Sequence, residues 1–460
     1  MKQILLTTVL SFGLATLAVA QEKMWTLDEC MRYAVENSPS VKKQIYTHNT
    51  YKAEYNAAVA SFFPSAEIGV NAQYNYGRSI DPKNNTYNNV STFNNAYQLN
   101  ASIPVFQGGR LINQWRLSKL NKKLGKNDIE KQKDDLALQT MQDYMDVVYY
   151  QGTIKIAAEK LEESSRTLYK TQRQEELGLK GKADVAQIEA QVAGDDYTLT
   201  HQQNLYNIAL LKLKEDMNLP ADLPFEVDTL LAEKAYMAMN ESPEDIYDYA
   251  SENNPTALQA DFNWKAKKMQ YLIAKGRLLP TISFQAGVST NYFKDLNPDM
   301  EDPNYEPTTA FGSQFKNNRG EYLAFSLSFP LFDGLSRVTE ARRARNNMRI
   351  AHETKMEVLR QLQTAVEQAV LDREGYAKET IQMEKKVKSE GLAYQVTLRK
   401  YEEGLMSSLD VQTSSNTLAN SKADLLQRKL MYLLKCKLVD YYKGKPLIEG
   451  NAEAEREINE

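Results

Sequence analysis

Residues 65–76 read SAEIGVNAQYNY, and residues 97–106, 281–292 and 322–331 alternate apolar and polar side chains in the same way. Successive side chains of a β-strand point to opposite faces, so each stretch gathers its apolar residues on one face. Each stretch is about ten to twelve residues long, which fits a tilted strand that crosses a bilayer. The pattern predicts four transmembrane strands, although a soluble sheet with one face on a core would show the same alternation.

Four strands are too few to close a barrel on their own. The unpaired backbone groups of an open sheet edge are not tolerated in hydrocarbon, so a membrane sheet of this size needs strands from neighbouring copies. Three copies of the chain would supply twelve strands, three times four, which lies within the known range of outer-membrane barrels. The strand pattern therefore predicts an assembly of several copies.

The N-terminal segment and the composition limit the class of protein. An apolar run follows Lys2 and ends in small residues before Gln21, so that residues 1–20 form the pattern of a secretory signal peptide. The remaining chain has no apolar run long enough for a transmembrane helix and no basic cluster typical of nucleic-acid binding. Cys30 and Cys436 could pair in an oxidising periplasm, and their spacing leaves this question open.

The two halves of the chain repeat each other. Residues 36–39 (ENSP) recur as residues 252–255 (ENNP), and residues 103–108 (IPVFQG) recur as residues 329–334 (FPLFDG). A repeat of this length predicts two copies of one structural unit. The predicted domains are a first repeat at 21–220, a linker at 221–243, a second repeat at 244–446 and a charged tail at 447–460.

Each half also contains a very long segment without proline, at 111–177 and at 336–403. Apolar residues recur there three and four positions apart, which is coiled-coil spacing, and each segment predicts a helix about 100 Å long. Each helix is expected to end at a glycine, Gly178 or Gly404, before a return helix. Charged and amide residues surround much of each helix, which favours the wall of a water-filled helical barrel over a compact bundle, with a soluble rod as the alternative.

Residues 77–95 and 293–320 separate the two predicted strands of each half. They are polar, rich in asparagine or proline, and show no strand or helix period. We therefore predict long loops there, and long loops lie on the extracellular side of outer-membrane barrels.

The turn that follows each long helix carries the most specific motif. Tyr401 precedes Gly404-Leu405 and Asp410-Val411, and the first half repeats the pattern as Gly178-Leu179 and Asp184-Val185. With the repeat, this pattern resembles the TolC family of outer-membrane channel and efflux proteins over nearly the whole chain. The resemblance implies a mixed membrane protein: a homotrimer with a twelve-stranded transmembrane β-barrel that is continuous with a long periplasmic α-helical barrel. It also implies location in the outer membrane, in contact with its lipid, and extension into the periplasm.

The resemblance further implies a function. The chain would be the outer-membrane exit channel of a tripartite efflux system, a passive conduit that a periplasmic adaptor (membrane fusion) protein and an inner-membrane pump of the RND or ABC type open at its helix tips. A conduit for type I protein secretion is the alternative within the family. A coiled-coil surface stalk without a transport role is the alternative from another class. The sequence does not specify the transported substrate.

Residue roles follow from the resemblance by matching position. The gate residues are Asp410, Asp184 and Tyr401, and the adaptor-contacting residues are Gly178, Leu179, Gly404 and Leu405. Asp410 is expected in an acidic constriction, and Asp184 and Tyr401 are expected to face each other as latching partners.

Simpler roles stand beside these assignments. The two aspartates could be helix N-caps, the two glycines helix C-caps, and Tyr401 a packing residue. The sequence also departs from the family pattern, because Met406 stands where some members have a latching arginine and Thr413 where some have a second acidic residue. Lys180 or Lys182 is a candidate replacement for the missing cation.

An enzyme is not indicated. His48, His201 and His352 lie far apart in the sequence, and none has the spacing of a metal-ligand motif. The chain also lacks a phosphate-binding loop and a nucleophile elbow. We therefore predict no catalytic residues, no metal site, no cofactor and no nucleic-acid partner.

Overall fold

The computed structural model describes residues 24–80, 87–229, 241–298 and 307–448. The predicted signal peptide at 1–20 lies outside the described residues, as do residues 230–240 of the predicted linker and residues 449–460 of the predicted tail. Within the described ranges, no helix combines the length and the apolar character needed to cross a membrane.

Among the described residues the elements follow one another in the same order in the two halves of the chain, except that the second half has an additional short helix between its two long strands. In sequence they are β1 (Met24–Trp25), α1 (Leu27–Asn37), α2 (Pro39–Ala60), β2 (Ser65–Ile80), β3 (Tyr87–Gln107), α3 (Arg110–Glu176), α4 (Lys182–Asp216), β4 (Glu226–Val227), α5 (Pro243–Asn253), α6 (Pro255–Gly276), β5 (Thr281–Asp295), α7 (Phe311–Asn317), β6 (Gly320–Ser328), α8 (Ser336–Glu402) and α9 (Ser408–Tyr442). The prediction of two very long helices is confirmed, since α3 and α8 contain 67 residues each.

These elements form two compact units. The first, called the helical unit here, comprises the described residues 24–44, 128–229, 241–258 and 358–448. The second, called the sheet unit, comprises the described residues 45–80, 87–127, 259–298 and 307–357. Each unit therefore takes residues from both halves of the sequence.

The sheet unit contains one antiparallel sheet with the strand order β2-β3-β5-β6. Its register aligns apolar residues across the strands, because Ile68 pairs with Leu99 and Leu99 pairs with Val288. Directly paired residues share a face. A second row joins Phe284 to Phe325, whose rings lie 4.9 Å apart. The predicted apolar face is thus continuous across the sheet, and many of its side chains are exposed.

The strand lengths differ from the prediction. Residues 77–80 and 87–95, which we predicted as loop, belong to β2 and β3, because the pairing of these strands continues to Ile80 and Tyr87. At the other end of the sheet, β6 stops at Ser328 rather than at residue 331. Pro330 follows it, and proline has no N–H group to donate to a neighbouring strand.

The core of the helical unit joins its helices to a short parallel strand pair, β1 with β4. Tyr144 of α3 is almost fully buried and donates hydrogen bonds to the carbonyl oxygens of Asp228 and Trp25, the latter at 3.3 Å. This residue therefore holds α3 against the strand pair. Cys30 and Cys436 are both thiols and do not form a disulfide, which answers the question that their spacing left open.

Candidate functional site

The predicted site residues lie in the helical unit, in the turn between α3 and α4 and in the turn between α8 and α9. Gly178 and Gly404 occupy equivalent positions in these turns, with φ angles of 74° and 79°. This left-handed region favours glycine, which therefore ends both long helices where the prediction placed the ends. An added Cβ atom would meet no heavy atom within 4 Å at either glycine, so both faces are open to solvent or to a partner.

The residue after each glycine is a leucine with an exposed side chain. Leu179 is 70% exposed and Leu405 is 71% exposed. Their backbones are fixed, because the N–H of Leu179 donates to the carbonyl of Gln174 and the N–H of Leu405 donates to the carbonyl of Lys400, both at 2.8 Å. Each turn thus holds one apolar side chain outward on a rigid hydrogen-bonded backbone.

The two predicted gate aspartates begin the return helices. Asp184 Oδ2 accepts a hydrogen bond from the N–H of Gly181 at 3.1 Å, and Asp410 Oδ2 accepts bonds from the N–H and Oγ of Ser407 at 3.0 and 2.7 Å. Gly181 and Ser407 are the N-cap residues, so the aspartates lie three residues later rather than at the cap itself. The hydrogen bonds from Ser407 lower the pKa of Asp410. Both aspartates therefore contribute to helix capping.

Tyr401 is enclosed between the two turns, with 2% of its surface exposed. Its hydroxyl lies 3.0 Å from Thr171 Oγ1, and Thr171 Oγ1 donates to the carbonyl of Thr167 at 2.9 Å, so Tyr401 is the donor of the bond to Thr171. Lys180 Nζ lies 4.2 Å from the centre of the Tyr401 ring, within the range of a cation–π contact. Burial raises the pKa of Tyr401, and the nearby charge of Asp184 adds to this effect.

Thr171 holds the Tyr401 hydroxyl in this structure, and the charge of Asp184 disfavours the ionised form of the phenol. The expected latching of Asp184 with Tyr401 stays a prediction. Of the two candidate cations, Lys180 is the one that contacts Tyr401. Met406 packs against the apolar cluster that contains Tyr401, and Thr413 donates to the carbonyl of its own helix at 2.8 Å.

Further polar contacts join the turn regions of the two halves. Lys170 Nζ forms an ion pair with Glu402 at 2.6 Å, although both side chains are exposed and such pairs contribute little to stability. Ser408 Oγ is buried and donates to Gln187 Oε1 at 2.7 Å. Sequence reasoning missed these residues and Thr171, because their partners are more than 200 positions away.

Three described carboxyl groups elsewhere in the helical unit have raised pKa values, those of Asp134, Asp146 and Asp216. Burial raises the pKa of Asp134 to about 6, and its Oδ2 accepts a hydrogen bond from Tyr441 at 3.1 Å. Burial and the neighbouring Asp143 raise the pKa of Asp216, while Lys212 Nζ lies 2.6 Å from Asp143. Among the described residues, no group of three or more His, Cys, Asp or Glu side chains is arranged to hold a metal ion.

Comparison with known proteins identifies the family. The family model described as outer membrane efflux protein matches residues 31–218 and 246–435. The chain belongs to the outer membrane efflux protein family. As a member of that family it is an outer-membrane efflux protein that extends into the periplasm. The predicted resemblance to TolC-type proteins is confirmed.

Solved structures of outer-membrane channels share the fold of this efflux-family chain. The CmeC channel of Campylobacter jejuni matches with a TM-score of 0.77 at 16% identity, covering 94% of this chain and 88% of that one. VceC of Vibrio cholerae matches with a TM-score of 0.76 at 14% identity, covering 92% of this chain and 96% of that one. The open state of MtrE of Neisseria gonorrhoeae matches with a TM-score of 0.69 at 16% identity, covering 91% and 88%. No curated protein sequence is significantly similar to this chain.

Proposed function

We propose that three copies of this chain form a passive exit channel in the outer membrane, as part of a tripartite efflux system. Each copy supplies four strands of a twelve-stranded barrel, and the long helices of the three copies form the periplasmic conduit. The strand order carries this proposal: among the described residues, β2 and β6 each have a strand neighbour on one side only. An apolar sheet with two open edges is stable in a bilayer only if other copies pair with those edges.

The lengths of the elements support the proposed repeat. α1 and α5 have 11 residues each, α2 and α6 have 22, α3 and α8 have 67, and α4 and α9 have 35. We therefore propose the domain boundaries as predicted: 21–220, 221–243 and 244–446. With two equivalent halves, a trimer has six equivalent hairpins of long helices, three times two, which suits a closed tube.

In the proposed channel the two turns of each copy form the gate. Tyr401 and its contacts hold the two halves of a copy together in the closed state, and Asp184 and Asp410 add negative charge at the constriction. The gate opens when an adaptor replaces these contacts. A difference of a few kcal/mol in adaptor affinity between the open and closed states is enough to switch it.

Gly178, Leu179, Gly404 and Leu405 are the proposed adaptor contacts. The exposed leucines and the open glycine faces support this role, since a helical hairpin of a partner could pack its apolar residues directly against the turn backbone. The pump, of the RND or ABC type, would supply the energy and choose the cargo.

The experiment combines mass and conductance. Purified full-length protein in detergent should have the mass of a trimer, and in planar bilayers it should conduct weakly until the turn contacts are weakened, as in Asp410→Ala or Tyr401→Phe. A trimer that never conducts would favour the surface stalk. Co-purification with an RND-type pump would support efflux, whereas co-purification with an ABC transporter that carries a protein substrate would favour type I secretion.

A further inference from the structure

The short helix α7 lies on one face of the sheet. The rings of Phe311 and Phe315 lie 6.3 and 5.3 Å from the ring of Tyr97, and Phe311 lies 5.2 Å from Tyr292. Tyr97 pairs directly with Thr290, whose side chain donates to the carbonyl of Phe315 at 2.7 Å. Because Tyr292 is two residues beyond Thr290, all of these contacts are made on the same face.

That face is the exposed apolar face of the sheet. Tyr97 also pairs with Val70, and two residues further along the strands Leu99 pairs with Ile68. The side chains of Val70, Leu99 and Ile68 are exposed to their surroundings. The aromatic residues of α7 therefore extend an apolar surface that the sheet already presents.

Side chains of α7 and of its C-cap residue, Asn318, replace the missing end of β6. The pairing of β6 with β5 stops at Ser289, and the β5 backbone continues beyond it. The amide of Gln314 accepts from the N–H of Phe293 at 3.0 Å and donates to its carbonyl at 2.9 Å, and Asn318 donates to the carbonyl of Asn291 at 2.8 Å. These bonds fix the helix to the sheet edge, so its outward face has a defined direction.

The two rings that pack on the sheet keep part of their surface exposed beside it, and positive charge lies next to them. Phe311 and Phe315 remain 46% and 41% exposed after their packing on the sheet. Lys316 on the helix and Lys294 on the same face of β5 are exposed as well. Aromatic rings beside lysines are typical of segments that lie at the boundary between lipid headgroups and acyl chains.

We propose that α7 is an interfacial helix whose partner is the bilayer surface, with Phe311 and Phe315 among the lipid chains and the two lysines at the lipid phosphates. The inference rests on the proposed function, because it requires the sheet to lie in a bilayer. The position of α7 favours lipid over a second copy. Its rings pack on β3 and β5, the two central strands, whereas neighbouring copies would join at β2 and β6.

Site-directed spin labelling tests this placement. Phe315→Cys, and Phe311→Cys as a second variant, are made in the full chain carrying Cys436→Ser, with the fully buried Cys30 retained. Phe293→Cys is the matched control, since Phe293 is exposed on the same strand end but points to the opposite face. Each labelled protein is placed in vesicles of phosphatidylcholine and phosphatidylglycerol, and accessibility to oxygen and to a water-soluble nickel chelate is measured.

We expect labels at 311 and 315 to be severalfold more accessible to oxygen than to the chelate, and the label at 293 to show the reverse. Chelate-accessible labels at 311 and 315 would overturn the inference, as would labels shielded from both reagents, which would indicate a protein neighbour. Leu323→Cys, on the apolar face of β6, separates the two proposals. If 323 contacts lipid while 315 does not, only the role of α7 fails. If 323 is reached by the chelate, the sheet is not in the bilayer and the proposed function fails too.

Discussion

The hydrogen bond between Tyr401 and Thr171 gives the sharpest prediction about the gate. Tyr401 donates and Thr171 accepts, while Thr171 donates to the helix backbone. Tyr401→Phe leaves the Thr171 hydroxyl hydrogen-bonded to the backbone, so we expect the folded, closed state to lose about 1 kcal/mol of stability per copy. Thr171→Val leaves a buried phenol without its acceptor, and we expect a larger loss, about 1–3 kcal/mol. The double variant should lose less stability than the two single variants lose together, and the difference, the coupling energy, should be about 1 kcal/mol.

These energies translate into channel opening. If the contact breaks when the gate opens, its loss destabilises the closed state by about 1 kcal/mol per copy. This raises the ratio of open to closed channels about fivefold for one copy and about 100-fold if three copies act together. Open probability in planar bilayers measures this directly, and thermal unfolding of the same variants measures stability.

The control for this prediction is a second buried tyrosine, Tyr144, which lies in α3. Tyr144→Phe removes hydrogen bonds to two backbone carbonyls about 40 Å along the helix from Thr171. We expect it to lower the unfolding temperature without raising the open probability. Unchanged open probability in both Tyr401→Phe and Thr171→Val would remove this contact from the gate. An equal rise in Tyr144→Phe would mean that general destabilisation, rather than the gate contact, opens the channel.

Three other predictions concern stability and partner binding. The raised pKa of Asp134 means that its stabilising contribution is complete below its unfolded value near 3.8 and is lost as the pH rises through about 6. Asp134→Asn should therefore make the unfolding temperature depend less on pH between pH 4 and 6. At pH 8 it should raise the free energy of unfolding by up to about 3 kcal/mol. An unchanged pH profile would show that Asp134 does not titrate in this range. Gly404→Ala should lower the free energy of unfolding by about 1 kcal/mol, because Gly404 has a positive φ. Gly375→Ala, inside α8, should instead raise the free energy of unfolding by up to about 1 kcal/mol. Equal unfolding temperatures of the two variants would contradict this prediction. Leu405→Ser and Leu179→Ser should leave the unfolding temperature unchanged and weaken adaptor binding in a pull-down titration, and full-strength binding by both would exclude the turns as the contact.

The helices of this protein could be predicted closely from its sequence. Coiled-coil spacing without proline defines the long helices, and Gly178 and Gly404 end them because only glycine adopts their backbone angles without strain. The strands were harder to predict. Residues 87–95 are rich in asparagine, which has a low strand propensity, and they are strand because they pair with the extension of β2. That pairing is a tertiary effect which no local pattern records.

The site was predictable only in part. The repeated glycine-leucine motif located both turns, and the family resemblance selected Tyr401. The partner of Tyr401 was not predictable, since Thr171 is 230 positions away and nothing in its neighbourhood distinguishes it. α7 was missed for a similar reason, because it has seven residues, too few for a helical period, and depends on side-chain contacts with β5.

A structure of the full chain in lipid nanodiscs tests the central claim most directly. The account predicts three copies around one axis, with β2 of each copy paired to β6 of the next and the apolar face toward lipid. A single copy whose β2 and β6 edges are covered by its own chain, or an apolar face packed on protein instead of lipid, would contradict it.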